Sequence, residues 1–264
     1  MNTALTQDQI KYYDDAGFLV VKNFFSPEEV AKMKTEVAKS VSQMGKKKIA
    51  GDNAADMTEG ETYYDTVFQQ RLNLWKINPY VESVFTDGGL GKMLCQLTGA
   101  DKMRIWHDQS LQKMPWGNPT AWHLDNPYWS FHSRQAISIW IALEDATIQN
   151  GCMYYLPGTH KTATFDNVEI TENLGGLFEI YPEWGTGTPV AAEMKAGDAG
   201  FHNGLTAHGA GANMTPNVRA AMTCAFMPDG ATFNGQKNIL SDEYAASLKV
   251  GDTLQDDAQN PIVG

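Results

Sequence analysis

Between residues 103 and 227 the chain breaks into short apolar segments divided by Gly, Pro and Asn, and this spacing limits the possible folds more than any other feature. Residues 103–111, 120–125, 135–143, 152–156, 190–194, 200–208 and 218–227 each have the length and residue types of a strand. Seven such segments after a mostly helical start imply a mainly β fold, an antiparallel sandwich or barrel with helices flanking it. Upstream, Thr6 caps a predicted helix that stops at Gly17, and residues 18–22 read as a short buried strand. Ser26-Pro27-Glu28-Glu29 starts a second helix reaching about Met44, with Val30, Met33, Val37 and Val41 along one stripe. Residues 63–76 look partly helical, and residues 91–98 form another helix ending at Gly99. The turn-rich stretches 45–63 and 166–189 are expected as loops closing over a site. The polar tail from Gly251 is expected to be loosely held. The expected organisation is one domain, 1–264: a helical flank and lid to residue 100, a β core over 101–230 and a C-terminal extension over 231–264.

With 31 acidic and 20 basic residues the net charge is −11, which disfavours nucleic acid and anionic membranes as partners. Lys46-Lys47-Lys48 is the one dense basic run and reads as a solvated turn. Cys95, Cys152 and Cys224 have no Cys-x-x-Cys spacing, so they read as core thiols of a reducing compartment. The N-terminus lacks the features of a signal peptide, and no run of 18 apolar residues occurs. A soluble cytoplasmic protein is expected, as a monomer or homodimer.

Chemistry concentrates in Thr120-Ala121-Trp122-His123-Leu124-Asp125-Asn126. On a strand, His123 and Asp125 project from one face with Cα atoms about 7 Å apart, so both can reach one metal ion. A third ligand must come from further along. His202 and His208 share one strand-like segment and would sit about 20 Å apart if it were straight, so only one can join. His208 is favoured because glycine follows it and because Arg219 returns after the turn at 213–217. A buried arginine there needs an anion, such as the carboxylate of a small acid. Two histidines and one carboxylate leave three metal positions open, the facial arrangement of non-haem Fe(II) oxygenases.

Along most of its length the chain resembles the phytanoyl-CoA dioxygenase family of Fe(II)/2-oxoglutarate oxygenases. The resemblance rests on Gly17-Phe18-Leu19-Val20-Val21, Ser26-Pro27-Glu28-Glu29, Trp122-His123-Leu124-Asp125, Trp140-Ile141-Ala142-Leu143-Glu144-Asp145, Asn150-Gly151-Cys152, Pro157-Gly158-Thr159-His160, Gly197-Asp198, and His208-Gly209-Ala210-Gly211-Ala212-Asn213 with Arg219. The eleven-residue step from His208 to Arg219 is the family's spacing. It implies a double-stranded β-helix (jelly-roll) core, iron on His123, Asp125 and His208, and the distal carboxylate of 2-oxoglutarate on Arg219. Trp140 matches a position that packs against the cosubstrate, and Lys113 a polar cosubstrate or substrate contact. Ala210 stands where the family often has serine, so one hydrogen bond to the cosubstrate is expected either to be missing or to come from Thr206 or Ser138. Retention of Asp125 favours hydroxylation over halogenation. The implied reaction consumes O2, releases succinate and CO2, and oxidises an unactivated C–H bond.

Trp116, Tyr128 and Trp129 are read as a substrate wall, His202 as supporting a metal ligand or lining the pocket, and Asn126 as meeting the substrate or orienting Asp125. His107 and His132 read as structural or surface residues, and His160 as fixing a loop. With no basic cluster to cradle a CoA phosphate, the expected substrate is a small neutral or cationic organic molecule. Two other readings use the same fold: a redox-neutral Mn or Zn cupin-like enzyme, and a jelly-roll binding module without catalysis.

Overall fold

The computed structural model describes residues 1–51 and 62–264. Residues 52–61, inside the expected lid at 45–63, lie outside the described residues. Its strands are β1 (Phe18–Val21), β2 (Gln69–Leu72), β3 (Met103–Lys113), β4 (Thr120–His123), β5 (Ile137–Ala142), β6 (Met153–Tyr155), β7 (Val190–Ala192), β8 (Ala199–Asn203), β9 (His208–Ala210), β10 (Arg219–Pro228) and β11 (Ile262–Val263). One sheet runs β1-β8-β5-β10-β3-β11 with β2 also on β3, and a second runs β4-β9-β6-β7. Every pairing within them is antiparallel.

The alternation of side chains along the central strands explains how the layers stack. Ile137, Ile139 and Ile141 of β5, with Met222, Cys224 and Phe226 of β10, pack on one side against Val30, Met33 and Val37 of the helix Pro27–Met44. Trp140, Ala142 and Ala221 point the other way and meet Met153, Tyr155 and Ala210 of the small sheet. The central strands are therefore apolar throughout, because both of their faces are covered. The result is a two-sheet jelly roll with helices on the outer face of the larger sheet.

The first two helices follow their sequence signals. Thr6 and Ser26 each form a capping box, and Gly17 ends the first helix at φ 82°. The helix Pro79–Phe85 escaped the sequence reading although Asn78 caps it and Pro79 opens it. β1 is the short buried strand expected over 18–22, whereas β2 lies in the stretch read as partly helical; both join the large sheet.

Three expectations about loops need correction. Residues 166–189 do reach the site, through Ile170, but they are not plain loop: they contain the short helices Leu177–Ile180 and Pro182–Thr186, and Leu177, Tyr181 and Trp184 are buried against Leu124 and Leu205. The C-terminal tail is not loose. β11 pairs with Met103 and Arg104, Leu254 is buried, and the Asn260 amide donates to the carbonyl of Ile105. Polar tail residues are held here by backbone carbonyls that a hydropathy pattern does not register. Lys48 is buried and paired with Asp65 at 2.6 Å, not solvated.

One irregularity shapes the interior. The β3–β10 register shifts between Ala225 and Phe226, so Trp106 of β3 is the extra residue. Trp106 packs with Trp129 and Phe131 at the inner end of the sandwich, and its neighbour His107 faces the same interior. A regular strand would have sent one of the two outward.

Candidate metal centre and its two chambers

His123 ends β4 and pairs directly across from His208, which begins β9. Their ring centroids are 4.2 Å apart. The two backbones approach closely, since a Cβ placed on Gly209 would lie 2.9 Å from the Thr120 carbonyl. Asp125 does not share the strand with His123 as expected. β4 stops at His123, and Asp125 sits in the following turn at φ −76° and ψ −53°. The turn still delivers its carboxylate, with Oδ1 at 3.6 Å from Nε2 of both His123 and His208. One donor atom from each residue lies within 4.8 Å of the others.

The rings are already oriented. His123 Nδ1 is 2.8 Å from the Ala121 carbonyl and His208 Nδ1 is 2.9 Å from that of Thr206. A carbonyl only accepts, so each Nδ1 carries a proton and each Nε2 is the ring atom turned towards the centre. Burial, then the neighbouring His123, holds His208 well below the ordinary imidazole pKa. Burial works to raise the Asp125 carboxyl, but His208, His123 and His202 outweigh it and keep it well below the usual carboxylate range. Neutral imidazoles and an ionised carboxylate are the forms that bind a divalent metal. The donor set therefore fits Fe(II).

Two chambers meet at this centre. Trp140, Phe68, Thr120 and Met153 line the first; His107, Gln70, Tyr128 and Trp129 line the second. His123, Asp125, Tyr64 and Gln109 border both. Arg219, the first residue of β10, is wholly buried beside the first chamber. Its guanidinium carbon lies 5.0 Å from the Trp140 ring centroid and 5.6 Å from that of Phe68. Among the described residues none of its three side-chain nitrogens has a hydrogen-bonding partner. Burial lowers its pKa to about 10, which leaves it charged near neutrality. A cation in that state calls for an anion.

Several expected contacts lie elsewhere. Lys113 is buried and donates to the carbonyls of Asn118 and Gly211, at 2.8 Å each, so it braces two loops rather than facing the chamber. Burial, then the charge of Arg219, lowers its pKa to about 6, and a neutral amine has two protons for those two carbonyls. Thr206 donates to the Gly17 carbonyl, so it ties down the first helix instead of a cosubstrate. Ser138 faces the first chamber, but its hydroxyl donates to Asp125 Oδ2 at 2.9 Å. His202 was expected far from His208, yet their rings are 4.5 Å apart. Its Nε2 lies 3.0 Å from Asp125 Oδ2. The reason is that residues 200–208 form two strands in different sheets with a corner between them.

Trp116 is 64% exposed and belongs to neither chamber. Asn126 is buried and committed to the Phe131 carbonyl and the Ser133 amide. Tyr128 and Trp129 do line the second chamber, and the Tyr128 hydroxyl donates to the Val168 carbonyl of the covering segment.

His107, expected as a structural or surface residue, is buried and lines the second chamber. With Gln109 and Leu111, which the sequence reading does not single out, it occupies alternate positions of β3 that face the chambers, a period-two signal present in the sequence. Burial lowers His107 to about pKa 4, so its ring is neutral. Tyr64 and Phe68 come from a short helix and the residue after it, and nothing local marks them.

Comparison with known proteins agrees with this geometry. A family model for Phytanoyl-CoA dioxygenase (PhyH) matches residues 13–221. The chain is 27% identical over 249 residues to the peroxisomal phytanoyl-CoA dioxygenase of Mus musculus, covering 85% of this chain and 69% of that protein. It is 27% identical over 217 residues to a probable alpha-ketoglutarate-dependent hypophosphite dioxygenase of Stutzerimonas stutzeri, covering 78% and 73%. The crystal structure of the non-heme alpha ketoglutarate dependent carbocyclase SnoK from nogalamycin biosynthesis superposes with a TM-score of 0.78 at 25% identity, covering 98% of this chain and 97% of that one. The chain belongs to the phytanoyl-CoA dioxygenase family of Fe(II)- and 2-oxoglutarate-dependent oxygenases.

Proposed function

We propose that His123, Asp125 and His208 hold Fe(II), that Arg219 receives the distal carboxylate of 2-oxoglutarate in the first chamber, and that a small neutral organic molecule in the second chamber is hydroxylated at an unactivated C–H bond. The whole chain, 1–264, would act as one oxygenase unit. The observation that carries this reading is the buried guanidinium of Arg219, without a hydrogen-bonding partner among the described residues, beside the chamber that the three donor residues close. A metal enzyme that needs no 2-oxo acid has no use for such a cation.

Bound iron and 2-oxoglutarate would supply the oxidising chemistry, consuming O2 and releasing succinate and CO2. The chain's own residues position and exclude. Backbone carbonyls fix both histidine rings, Trp140 and Phe68 wall the cosubstrate from water, and neutral Lys113 holds the loops at 118 and 211 in place. His107 offers a neutral hydrogen-bonding ring to substrate, and Tyr128 fastens the covering segment.

The second chamber encloses about 420 Å³, within the range of sites for small organic ligands. Among its described lining residues only Asp125 carries a formal charge, which supports a neutral molecule over a cation or a phosphate-bearing thioester. The relatives' names span phytanoyl-CoA, hypophosphite and nogalamycin biosynthesis, so the lining is the better guide to substrate.

Anaerobic addition of Fe(II) and 2-oxoglutarate should produce a weak visible charge-transfer band that His208→Ala abolishes. No band, or one indifferent to that substitution, would sink the cofactor assignment. For the substrate, one acyl group can be offered on CoA and on neutral N-acetylcysteamine; tighter binding of the CoA form would overturn the neutral-molecule reading. Three unpaired cysteines suit a reducing compartment, for which we propose the cytoplasm, and a monomer or homodimer. No helix among the described residues is long and apolar enough to cross a membrane.

A further inference from the structure

The three donor residues are held in two different ways. His123 and His208 are oriented by backbone carbonyls, which no side-chain substitution removes. Asp125 sits in a turn outside either sheet, and its second oxygen is held entirely by side chains. Ser138 of β5 and His202 of β8 are directly paired in register, so their side chains stand together on one face. Both reach Asp125 Oδ2, at 2.9 Å and 3.0 Å.

We propose that His202 and Ser138 are positioning residues that fix Asp125 as a one-oxygen metal ligand, and that Tyr155 sets the tautomer of His202 for this purpose. The inference rests on the metal-centre reading above. A carboxylate oxygen only accepts, so His202 Nε2 carries the proton of the 3.0 Å bond. In the neutral ring the other nitrogen, Nδ1, is then an acceptor, and it faces the Tyr155 hydroxyl at 3.3 Å. Tyr155 is wholly buried and stacked on Phe18, with centroids 4.5 Å apart and planes 14° from parallel. Phe18 of β1 pairs in register with His202 itself. The N-terminal strand therefore braces a relay running Phe18, Tyr155, His202, Asp125.

With two donors on Oδ2, only Oδ1 is left facing the Nε2 atoms of His123 and His208. Turning the carboxylate to present both oxygens would break both hydrogen bonds. The relay thus holds the carboxylate to one metal position and leaves the others to cosubstrate and O2. It also gives His202 a task that neither direct ligation nor substrate contact requires.

The test is Co(II) affinity of the metal-free protein, measured by competition with a chelating dye, together with the visible spectrum of the Co(II) form. His202→Leu removes the donor at similar bulk and should weaken binding about 10–100-fold, the usual effect of losing an outer partner of a metal ligand. His202→Gln can place an amide N–H near the position of Nε2 and should restore affinity to within about threefold and the parental spectrum. Tyr155→Phe should weaken binding less than His202→Leu. A folded His202→Leu protein with parental affinity and spectrum would overturn the proposal. A Gln variant as damaged as the Leu variant would also overturn it, by making His202 itself a ligand. Should His202→Leu fail to fold, Ser138→Ala decides: weaker Co(II) binding supports the relay, and unchanged binding ends it. If the unmodified protein bound no Co(II), or Asp125→Ala bound it equally well, the metal-centre reading would fall and the relay with it.

Discussion

The guanidinium of Arg219 lies against the indole of Trp140, 5.0 Å from its ring centroid, and is buried without a hydrogen-bonding partner among the described residues. Stacking on an aromatic face offsets part of the desolvation of a cation but satisfies none of its N–H groups. The site is therefore poised for an anion that fills the first chamber.

The first prediction concerns that anion. At 100 times its Kd, 2-oxoglutarate should stabilise the metal-loaded protein by about 2.7 kcal/mol, seen as a rise in Tm. Arg219→Leu should lose this rise and increase the KM for 2-oxoglutarate roughly 30-fold or more, from a loss of about 2–5 kcal/mol. Without cosubstrate the variant should be at least as stable as the parent, because an unpaired buried charge has gone.

Metal content gives the second. His208→Ala and Asp125→Ala each remove one of the three converging donors. Each should lower Fe(II) affinity on the order of 100-fold or more, beyond the range for outer partners. Metal analysis after anaerobic reconstitution reads this directly, and parental metal content in either variant would contradict it.

The third is a pH dependence from Lys113. Its folded-state pKa is lowered to about 6, whereas an unfolded lysine titrates near about 10.4. Between these values the unfolded chain binds the extra proton, so this group's contribution to stability is present at high pH and lost as pH falls towards 6. Urea midpoints of the parent should rise between pH 6.5 and 9 by more than those of Lys113→Met. Equal slopes would mean that Lys113 keeps its charge in the folded protein.

His107 provides the fourth. Its ring lines the second chamber and stays neutral down to about pH 4 because it is buried. Loss of one hydrogen bond in His107→Leu should raise the substrate KM roughly tenfold, about 1–1.5 kcal/mol, and leave the KM for 2-oxoglutarate unchanged. In the parent, His107 should add no break near pH 6.5 to the substrate KM profile. A break there that His107→Leu removes would show a charged ring.

The last prediction tests the frame behind the relay. Gly17 ends the first helix at φ 82°, and a Cβ there would lie 2.4 Å from both His160 Nδ1 and Thr206 Oγ1. Gly17→Ala should cost roughly 1–3 kcal/mol of stability by strain and displacement of Thr206. A shift in the urea midpoint that, multiplied by the m value, amounts to less than about a tenth of that energy would show that the contact relaxes freely.

Much of the site could be read from residue types and order. His123, Asp125, His208 and Arg219 were singled out because two imidazoles, a carboxylate and a later arginine are a recognisable chemical set. Their neighbours were harder. Trp116 was assigned to the substrate wall for its nearness in sequence, yet it turns outward at φ 62°. Asn126 adjoins Asp125 but is consumed by the turn that carries it. Ser138 and Thr206 were assigned to the cosubstrate, whereas their hydroxyls serve Asp125 and Gly17. Nearness along the chain says little about which of two sides a hydroxyl or ring will face once partners arrive.

By itself the sequence determined what depends on near neighbours: the capped helices at Thr6 and Ser26, the alternating strands, and the chemical identity of the donor set. Such features arise from interactions within a few residues, so local pattern carries them. Only the tertiary structure decided that the stretch 200–208 leaves one sheet at Asn203 and enters the other at His208, bringing two histidines expected about 20 Å apart to a ring separation of 4.5 Å. That corner, and the register that sets Ser138 beside His202, are imposed by strands distant in the chain, and no short-range pattern contains them.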